Sequence, residues 1–203
     1  TKFGQIYDGK NTTHFSVMDK EGNAVSLTYT LEASFGSGMG AEKLGFLFNN
    51  EMGDFNPIPG RTTSSGQIGT DPNLIQPEKR MLSSMTPTIV AKDNKPYLVI
   101  GSPGGRTIIN TVFQTILNVL AYDMQVHEAI EAVKIHHQWL PDVIKYESLL
   151  FSPDTRKALE AMNHTLVPVN SLGRLMGIQV DTKHKILIGA ADSSARDGAA
   201  VAY

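Results

Sequence analysis

Hydrophobic and polar residues alternate along two early segments of the chain, and this period of two predicts β-strands. The segments cover residues 12–18 and 24–31. Between them, Asp19-Lys20-Glu21-Gly22-Asn23 supplies the residue types of a tight turn, so the two strands are predicted to form a hairpin. A second hairpin is predicted over residues 85–91 and 95–100, which turns at Lys92-Asp93-Asn94.

Helical periodicity follows the second hairpin. Apolar residues recur on one face of residues 107–121, and shorter helices are predicted over 126–134 and 153–162. Short strands are predicted at residues 44–48, 177–180 and 186–189. Strands connected by hairpins, without βαβ units, favour an α+β fold in which helices cover antiparallel sheets.

Composition narrows the function classes. The 203 residues are 41% hydrophobic and 19% charged, as expected of one globular domain. The net charge of −2 without a basic cluster argues against nucleic acid as a partner, and no apolar run is long enough to span a bilayer. Cysteine is absent, which excludes disulfides, thiol nucleophiles and zinc–thiolate sites.

Thr12 is the first candidate for chemistry. A threonine that becomes a chain N-terminus can use its own α-amino group as the base that activates its hydroxyl. Thr12 follows Asn11 at a strand start, so Asn11–Thr12 is a candidate self-cleavage junction. Threonine is also common in strands, and taken alone this signal is weak.

Other segments offer groups that would complete a site. Gly104 and Gly105 precede the helix over 107–121, where backbone N–H groups can stabilise an oxyanion or simply form a tight turn. Ser83 and Ser84 suit a carboxylate ligand or a solvated turn. Carboxylates at Glu51 and Asp54 suit an ammonium group or plain solvation.

The pair His136-His137 has no metal-binding spacing, because adjacent side chains point in different directions. We expect structural roles for both residues. The sequence therefore predicts neither a metal nor a cofactor.

Taken together and in order, these segments resemble the small subunit of γ-glutamyltranspeptidases, over nearly the whole chain from about Ile6 to Tyr203. The matching motifs are Thr12-Thr13-His14-Phe15-Ser16, Thr28-Tyr29-Thr30, Phe48-Asn49-Asn50-Glu51-Met52, Pro59-Gly60, Leu82-Ser83-Ser84-Met85, Gly101-Ser102-Pro103-Gly104-Gly105 and His136-His137-Gln138-Trp139-Leu140-Pro141.

The resemblance implies an N-terminal nucleophile fold, an αββα sandwich made as one precursor that cleaves itself into large and small subunits. Residues 1–11 would end the large subunit, and residues 12–203 would form the small-subunit catalytic domain, the two subunits pairing as a heterodimer. A periplasmic or secreted location is implied as well. No cofactor is implied.

The resemblance also assigns roles to residues. Thr12 would attack the γ-carbonyl of a γ-glutamyl donor, and Thr30 would orient Thr12. Gly104 and Gly105 would supply the oxyanion hole. Ser83 and Ser84 would bind the donor α-carboxylate, together with an arginine of the large subunit. The positions that hold the α-ammonium group carry Glu32, Glu51 and Asp54. Three acids against a single ammonium would be excessive unless a cation lies nearby.

This chain departs from common family patterns at several positions. Glu32 stands where many members have Asn, and Glu51 where many have Gln. Residues 59–70 match the family's lid, with Ser65 where several members carry an aromatic residue. Near the C-terminus, Asp192-Ser193-Ser194 replaces a frequent Asp-Pro-Arg, and Arg196 is displaced.

The leading hypothesis is a γ-glutamyl transferase and glutathione hydrolase, with water, amino acids or peptides as acceptors. One alternative is a related cephalosporin or glutaryl acylase, or an enzyme that cleaves poly-γ-glutamate. A glutaryl donor has no ammonium group to attract the three acids. Another alternative is that this chain is inactive because it lacks the large subunit.

Overall fold

The computed structural model describes residues 12–149, 151–195 and 198–202. The predicted segment 1–11, with Asn11, therefore lies outside the described residues, as does Arg196. The α+β prediction is confirmed. The strands and helices are, in chain order, β1 (Thr13–Met18), β2 (Ala24–Tyr29), β3 (Gly40–Ala41), β4 (Phe46–Leu47), β5 (Thr88–Lys92), β6 (Lys95–Gly101), α1 (Ile108–Ala121), α2 (Val126–Glu131), β7 (Ile135–His136), β8 (Ile144–Glu147), α3 (Pro153–Ala161), β9 (Leu166–Val169), β10 (Met176–Asp181) and β11 (Ile186–Ala191).

An antiparallel sheet with the strand order β11-β10-β6-β5 forms the centre of the fold. The β5–β6 hairpin turns at Asp93 and Asn94, both in the left-handed region with φ of 52° and 60°, as a type I′ turn requires. Helices α1 and α2 cover one face of this sheet. The core between them contains Leu98, Ile100, Val112, Val119, Val126, Ile130 and Leu175.

The hairpin of β1 and β2 packs on the other face of the central sheet, against β6 and β10. The hairpin turns polar side chains toward the central sheet and large apolar side chains outward, the reverse of the usual arrangement. His14 and Ser16 point inward, and the Ser26 hydroxyl donates to the Ile100 carbonyl at 3.0 Å. The outward face carries large apolar side chains, namely Phe15, Val17, Val25, Leu27 and Tyr29, each between 36% and 57% exposed.

One connection differs from the predicted hairpins. Strands β8 and β9 pair in parallel and are joined through α3, which makes a βαβ unit. The prediction placed α3 correctly but assigned neither strand. Strand β8 reads Ile-Lys-Tyr-Glu, an alternation with only two apolar positions and therefore a weak strand signal. Parallel pairing also needs a crossover that no local motif signals.

A buried ion-pair cluster joins β7, β8 and the C-terminal segment. The Lys134 ammonium lies 3.4 Å from a Glu147 carboxylate oxygen and 3.2 Å from an Asp192 oxygen. The other Glu147 oxygen accepts a hydrogen bond from the Leu172 N–H at 2.8 Å. Since Gly173 follows Leu172 and lies against Gly104, the cluster supports the turn that leads into α1.

Candidate active site

Thr12 lies immediately before β1 and is only 7% exposed. It lies in the wall of a cavity of about 730 Å³, and it also borders a second cavity of about 540 Å³ between β1, β10 and β11. The start of β1 is anchored by His14, whose ring nitrogens lie 2.8 Å from Thr28 Oγ1 and 3.1 Å from Ser16 Oγ. Burial lowers the pKa of His14 to about 4, so the imidazole is neutral and acts as a structural anchor.

The larger cavity brings together the predicted site residues. All of them except Gly104 line it, although they come from segments up to 93 positions apart in the chain, from position 12 to position 105. The lining residues among them are Thr12, Thr30, Glu32, Glu51, Asp54, Ser83, Ser84 and Gly105. Gly104 is adjacent to this wall through its peptide bond to Gly105.

The three acids form one cluster. Glu51 begins a short 3-10 helix over Glu51–Asp54 and is 9% exposed, and its Oε1 atom is buried without a hydrogen-bond partner among the described residues. Glu32 has a left-handed backbone with φ of 67°, and its carboxylate accepts a hydrogen bond from Asn50 at 2.7 Å. Gly53 leaves room for that carboxylate, since a Cβ there would lie 2.6 Å from Glu32 Oε1.

Burial raises the pKa of each acid, and the charge of Asp54 adds to this effect at Glu51 and Glu32. Burial, followed by the charge of Asp54, raises the pKa of Glu51 to about 7. Burial also raises the pKa of Asp54, against the lowering effects of the Glu51 hydrogen bond and of the Arg106 charge. Burial and the Asp54 charge raise the pKa of Glu32. With a pKa of about 7, Glu51 is partly protonated near neutral pH.

Thr30 lies among these acids. Its hydroxyl oxygen accepts a hydrogen bond from the Glu32 N–H at 2.9 Å, and the Thr30 side chain lowers the pKa of Glu51 against the effect of burial. The predicted role of Thr30 in orienting Thr12 stays a prediction.

Asn73 is a site residue that the sequence did not indicate. It is 8% exposed, and its Nδ2 atom donates to the Asp54 carbonyl at 2.7 Å while its Oδ1 accepts from the Leu82 N–H at 2.9 Å. Leu82 precedes Ser83 and Ser84. One amide therefore sets the spacing between the acidic cluster and the serine pair.

The two serines line the same cavity and are neighbours in one segment of the chain. Ser83 is exposed, and its Oγ accepts a hydrogen bond from the Met85 N–H at 3.2 Å. Ser84 is half-buried, and its carbonyl accepts from the Thr86 hydroxyl at 3.1 Å. Both hydroxyls keep a proton that they can donate to an anion in the cavity.

The glycine turn has a conformation that other residues rarely adopt. Gly104 and Gly105 have φ of 145° and 58°, and a Cβ on Gly104 would lie 3.1 Å from Gly173 Cα. Below the turn, the fully buried Ser102 hydroxyl accepts from the Arg174 N–H at 2.9 Å and donates to the Pro103 carbonyl at 2.6 Å. Ser102 therefore supports the glycine turn through hydrogen bonds with the backbone carbonyl of Pro103 and the backbone N–H of Arg174.

The histidine pair has structural contacts. His136 is buried, with Asn110 Nδ2 3.1 Å from its Nδ1 and Gln138 Oε1 2.9 Å from its Nε2. His137 pairs with Asp142 at 3.0 Å on the surface. Across the described segments, no group of three or more His, Cys, Asp or Glu residues is arranged to hold a metal ion, and no described helix is long and apolar enough to cross a membrane.

The chain matches known proteins over nearly its whole length. A sequence model of the γ-glutamyltranspeptidases matches residues 1–203. The glutathione hydrolase proenzyme of Escherichia coli (strain K12) is 46% identical over 197 residues, which are 97% of this chain. The chain belongs to the γ-glutamyltranspeptidase family. It spans about a third of the length of the E. coli relative, 34% of that protein.

Solved γ-glutamyltranspeptidases have the same fold. A Helicobacter pylori γ-glutamyltranspeptidase mutant superimposes with a TM-score of 0.81 at 46% identity, covering 89% of this chain and 98% of that one. An acivicin-inhibited γ-glutamyltranspeptidase, described as revealing roles of its C-terminus in autoprocessing and catalysis, gives a TM-score of 0.83 at 46% identity, covering 91% and 99%. The predicted N-terminal nucleophile fold is thereby confirmed.

Proposed function

We propose that this chain is the small-subunit catalytic part of a γ-glutamyl transferase and glutathione hydrolase, in which Thr12 is the nucleophile. The observation that carries the proposal is the cavity that Thr12 shares with three carboxyls, a serine pair and Gly105. The names of the family and of its relatives support the same activity, since the E. coli relative is called a glutathione hydrolase proenzyme.

The charges of the cavity suit a γ-glutamyl donor. Such a donor carries an ammonium group and a carboxylate on one carbon, so its site needs anions on one side and hydrogen-bond donors on the other. Glu32, Glu51 and Asp54 supply the anions, and Ser83 and Ser84 supply the donors. By family resemblance, an arginine of the large subunit would complete the carboxylate site.

The proposed reaction uses the free α-amino group of Thr12 as its base. The amine takes the proton of the Thr12 hydroxyl while Oγ attacks the γ-carbonyl carbon, and the N–H groups of Gly104 and Gly105 stabilise the oxyanion. The protonated amine then passes its proton to the leaving amine, and the C–N bond breaks to leave a γ-glutamyl ester. Water or an acceptor amine attacks the ester by the reverse steps, which gives hydrolysis or transfer.

The free amine requires a cleavage between Asn11 and Thr12. In that step the Thr12 hydroxyl attacks the Asn11 carbonyl carbon, the peptide bond shifts to an ester, and water hydrolyses the ester. Residues 1–11 would then end the large subunit, and the two products would remain together as a heterodimer. The word "proenzyme" in the name of the E. coli relative supports this maturation. We propose a periplasmic or secreted location on family resemblance alone.

The alternative donor class is a glutaryl amide, as for a related acylase, or a poly-γ-glutamate chain. A glutaryl group has a carboxylate but no ammonium. The buried Glu51 and the half-buried Glu32 and Asp54 would then face no cation of the donor, and more of their desolvation would remain uncompensated. The cluster therefore favours a γ-glutamyl donor. If the chain were instead an inactive structural or binding domain, it would show no turnover even when the large subunit is supplied.

The test uses the full precursor that contains this chain, and measures p-nitroaniline release from γ-glutamyl and glutaryl p-nitroanilides. We expect strong preference for the γ-glutamyl compound, and a preference for the glutaryl compound would overturn the proposal. Thr12→Ala should abolish both cleavage into two chains and turnover, whereas the exposed neighbour variant Thr13→Ala should still be cleaved. Maturation of Thr12→Ala into two chains would exclude Thr12 as the nucleophile.

A further inference from the structure

Arg106 directly follows the glycine turn and lines the same cavity as Thr12. Its Nη1 atom donates a hydrogen bond to the Gly66 carbonyl at 2.9 Å. Gly66 belongs to residues 59–70, here called the lid segment, which is 40 positions earlier in the chain. One side chain therefore connects the turn that carries the oxyanion donors to the lid segment.

Gly66 is held on its other side by the backbone around Leu140. It is buried with φ of 97°, and a Cβ on it would lie only 2.7 Å from the Leu140 carbonyl oxygen. Within the segment, the Thr63 N–H donates to the Gln67 carbonyl at 2.9 Å, and the Thr63 and Ser65 hydroxyls lie 2.9 Å apart. The tip of the lid segment is thus a preformed turn fixed between Arg106 and Leu140.

Arg106 also acts on the acidic cluster through its charge. The charged groups that line this cavity are Glu32, Glu51, Asp54, Arg80 and Arg106. The positive charge of Arg106 lowers the pKa of Asp54, against the burial that raises it. Arg106 is therefore a cation whose charge acts on Asp54, one of the three acids of the cluster.

We propose that Arg106 is a positioning residue that latches the lid segment across the cavity and balances the acidic cluster, so that one side chain couples lid closure to binding of the donor ammonium. This inference rests on the proposed function for its ammonium ligand, but the latch itself is a property of the fold. Position 65 of the lid segment is a serine in this chain, and a charged side chain that lines the cavity, Arg106, donates the hydrogen bond to the neighbouring Gly66.

The two roles of Arg106 depend differently on pH. The hydrogen bond to Gly66 needs a guanidinium donor, which keeps its charge at every usable pH, so its effect on the lid is constant. The charge effect matters only where the acids titrate. Without Arg106 the pKa of Asp54 is higher, so the cluster becomes fully ionised, and able to bind an ammonium group, only at higher pH.

The first measurement is amide hydrogen exchange over residues 59–70 in the full mature protein. Arg106→Ala should speed exchange of this segment by about two- to tenfold, the effect of one lost hydrogen bond. Gly66→Ala should do the same from the Leu140 side. Arg61→Ala is the matched control, because it removes an exposed positive charge from the same segment without touching the Gly66 contact. This readout needs no catalytic activity, so it stands even if the proposed donor is wrong.

The second measurement is the pH profile of kcat/KM with a γ-glutamyl p-nitroanilide. We expect Arg106→Ala to move the acid limb upward by about half a pH unit or more, and Arg106→Lys, which keeps the charge, to leave that limb in place while weakening the latch. Unchanged exchange in Arg106→Ala would overturn the latch. An equal shift of the limb in Arg61→Ala, or in Arg106→Lys, would overturn the specific charge role.

Discussion

The side-chain amide of Asn73 donates a hydrogen bond to the backbone carbonyl of Asp54 over 2.7 Å. The same side chain accepts from the Leu82 N–H at 2.9 Å, and Asn56 supports it, since Asn73 Nδ2 lies 3.2 Å from Asn56 Oδ1. Asp54 belongs to the acidic cluster, whereas Leu82 leads into the serine pair. The distance between the acidic cluster and the serine pair is therefore set by a residue that belongs to neither group.

From this we predict that Asn73→Ala raises KM for a γ-glutamyl donor by about tenfold or more, with a smaller fall in kcat. The variant leaves the Leu82 N–H without its partner, which costs about 1–3 kcal/mol of stability. Steady-state kinetics and thermal unfolding measure the two effects. Asn23→Ala, which removes two exposed hydrogen bonds to Asp19, is the control. If both asparagine variants had the same KM, Asn73 would have no spacing role.

Glu51 should make both stability and donor binding depend on pH. Because its pKa is raised from 4.5 to about 7, the folded protein keeps a proton that the unfolded chain loses, so the stabilisation present below pH 4.5 is lost as the pH rises through 7. We expect Glu51→Gln to be more stable than the parent at pH 8 by up to about 3 kcal/mol, and so to unfold at a higher temperature. At pH 5 we expect little gain.

The same Glu51→Gln variant should bind the donor more weakly at pH 8, because it removes an anion from the ammonium site. Glu42→Gln, at an exposed carboxyl, should change neither property. A destabilised Glu51→Gln protein at pH 8 would contradict the assigned cost of ionising this group.

Ser102 is expected to act on the rate through the glycine turn. Ser102→Ala leaves the Arg174 N–H without the acceptor 2.9 Å away, which should cost about 1–3 kcal/mol of stability and let the Gly104–Gly105 turn relax. We expect kcat to fall more than KM rises. Ser37→Ala, at an exposed hydroxyl bonded to the Phe48 carbonyl, is the comparison. A change confined to stability would limit Ser102 to a packing role.

Lys134 should be intolerant of neutral replacement. Lys134→Met leaves the buried carboxylates of Glu147 and Asp192 facing each other without a cation, and removing one partner of such a cluster costs about 3–5 kcal/mol. Lys20→Met breaks only an exposed pair with Glu21, for which the expected change is below about 1 kcal/mol. Thermal unfolding of the two variants side by side decides between a structural cluster and an incidental one.

Local patterns predicted those parts of the fold in which one segment determines its own structure. The turn at Asp93 and Asn94 and the amphipathic face of α1 are examples. The parallel pairing of β8 with β9 depends on contacts between segments about 20 residues apart, and no residue type in either strand signals it.

The residues of the candidate site also divide into those that local motifs indicate and those that depend on contacts with distant segments. Thr12, the serines and the glycines stand in motifs, so a resemblance could assign them. Asn73 and Arg106 act on backbone carbonyls of distant residues, Asp54 and Gly66. Every residue has a backbone carbonyl, so a side chain that donates a hydrogen bond to one has no recognisable partner residue in the sequence. The sequence indicates Arg106 only indirectly, because three neighbouring acids require a cation nearby.

The hairpin of β1 and β2 has its hydrogen-bonding side chains within the fold and its large apolar ones outside. In water, such a strand pair is unstable as an outermost layer, since Phe15, Val17 and Tyr29 gain nothing from solvent. Under the proposed function, Thr12 begins a strand whose apolar outer surface must be covered before the strand is stable. We therefore expect the precursor to fold before the Asn11–Thr12 bond is cleaved.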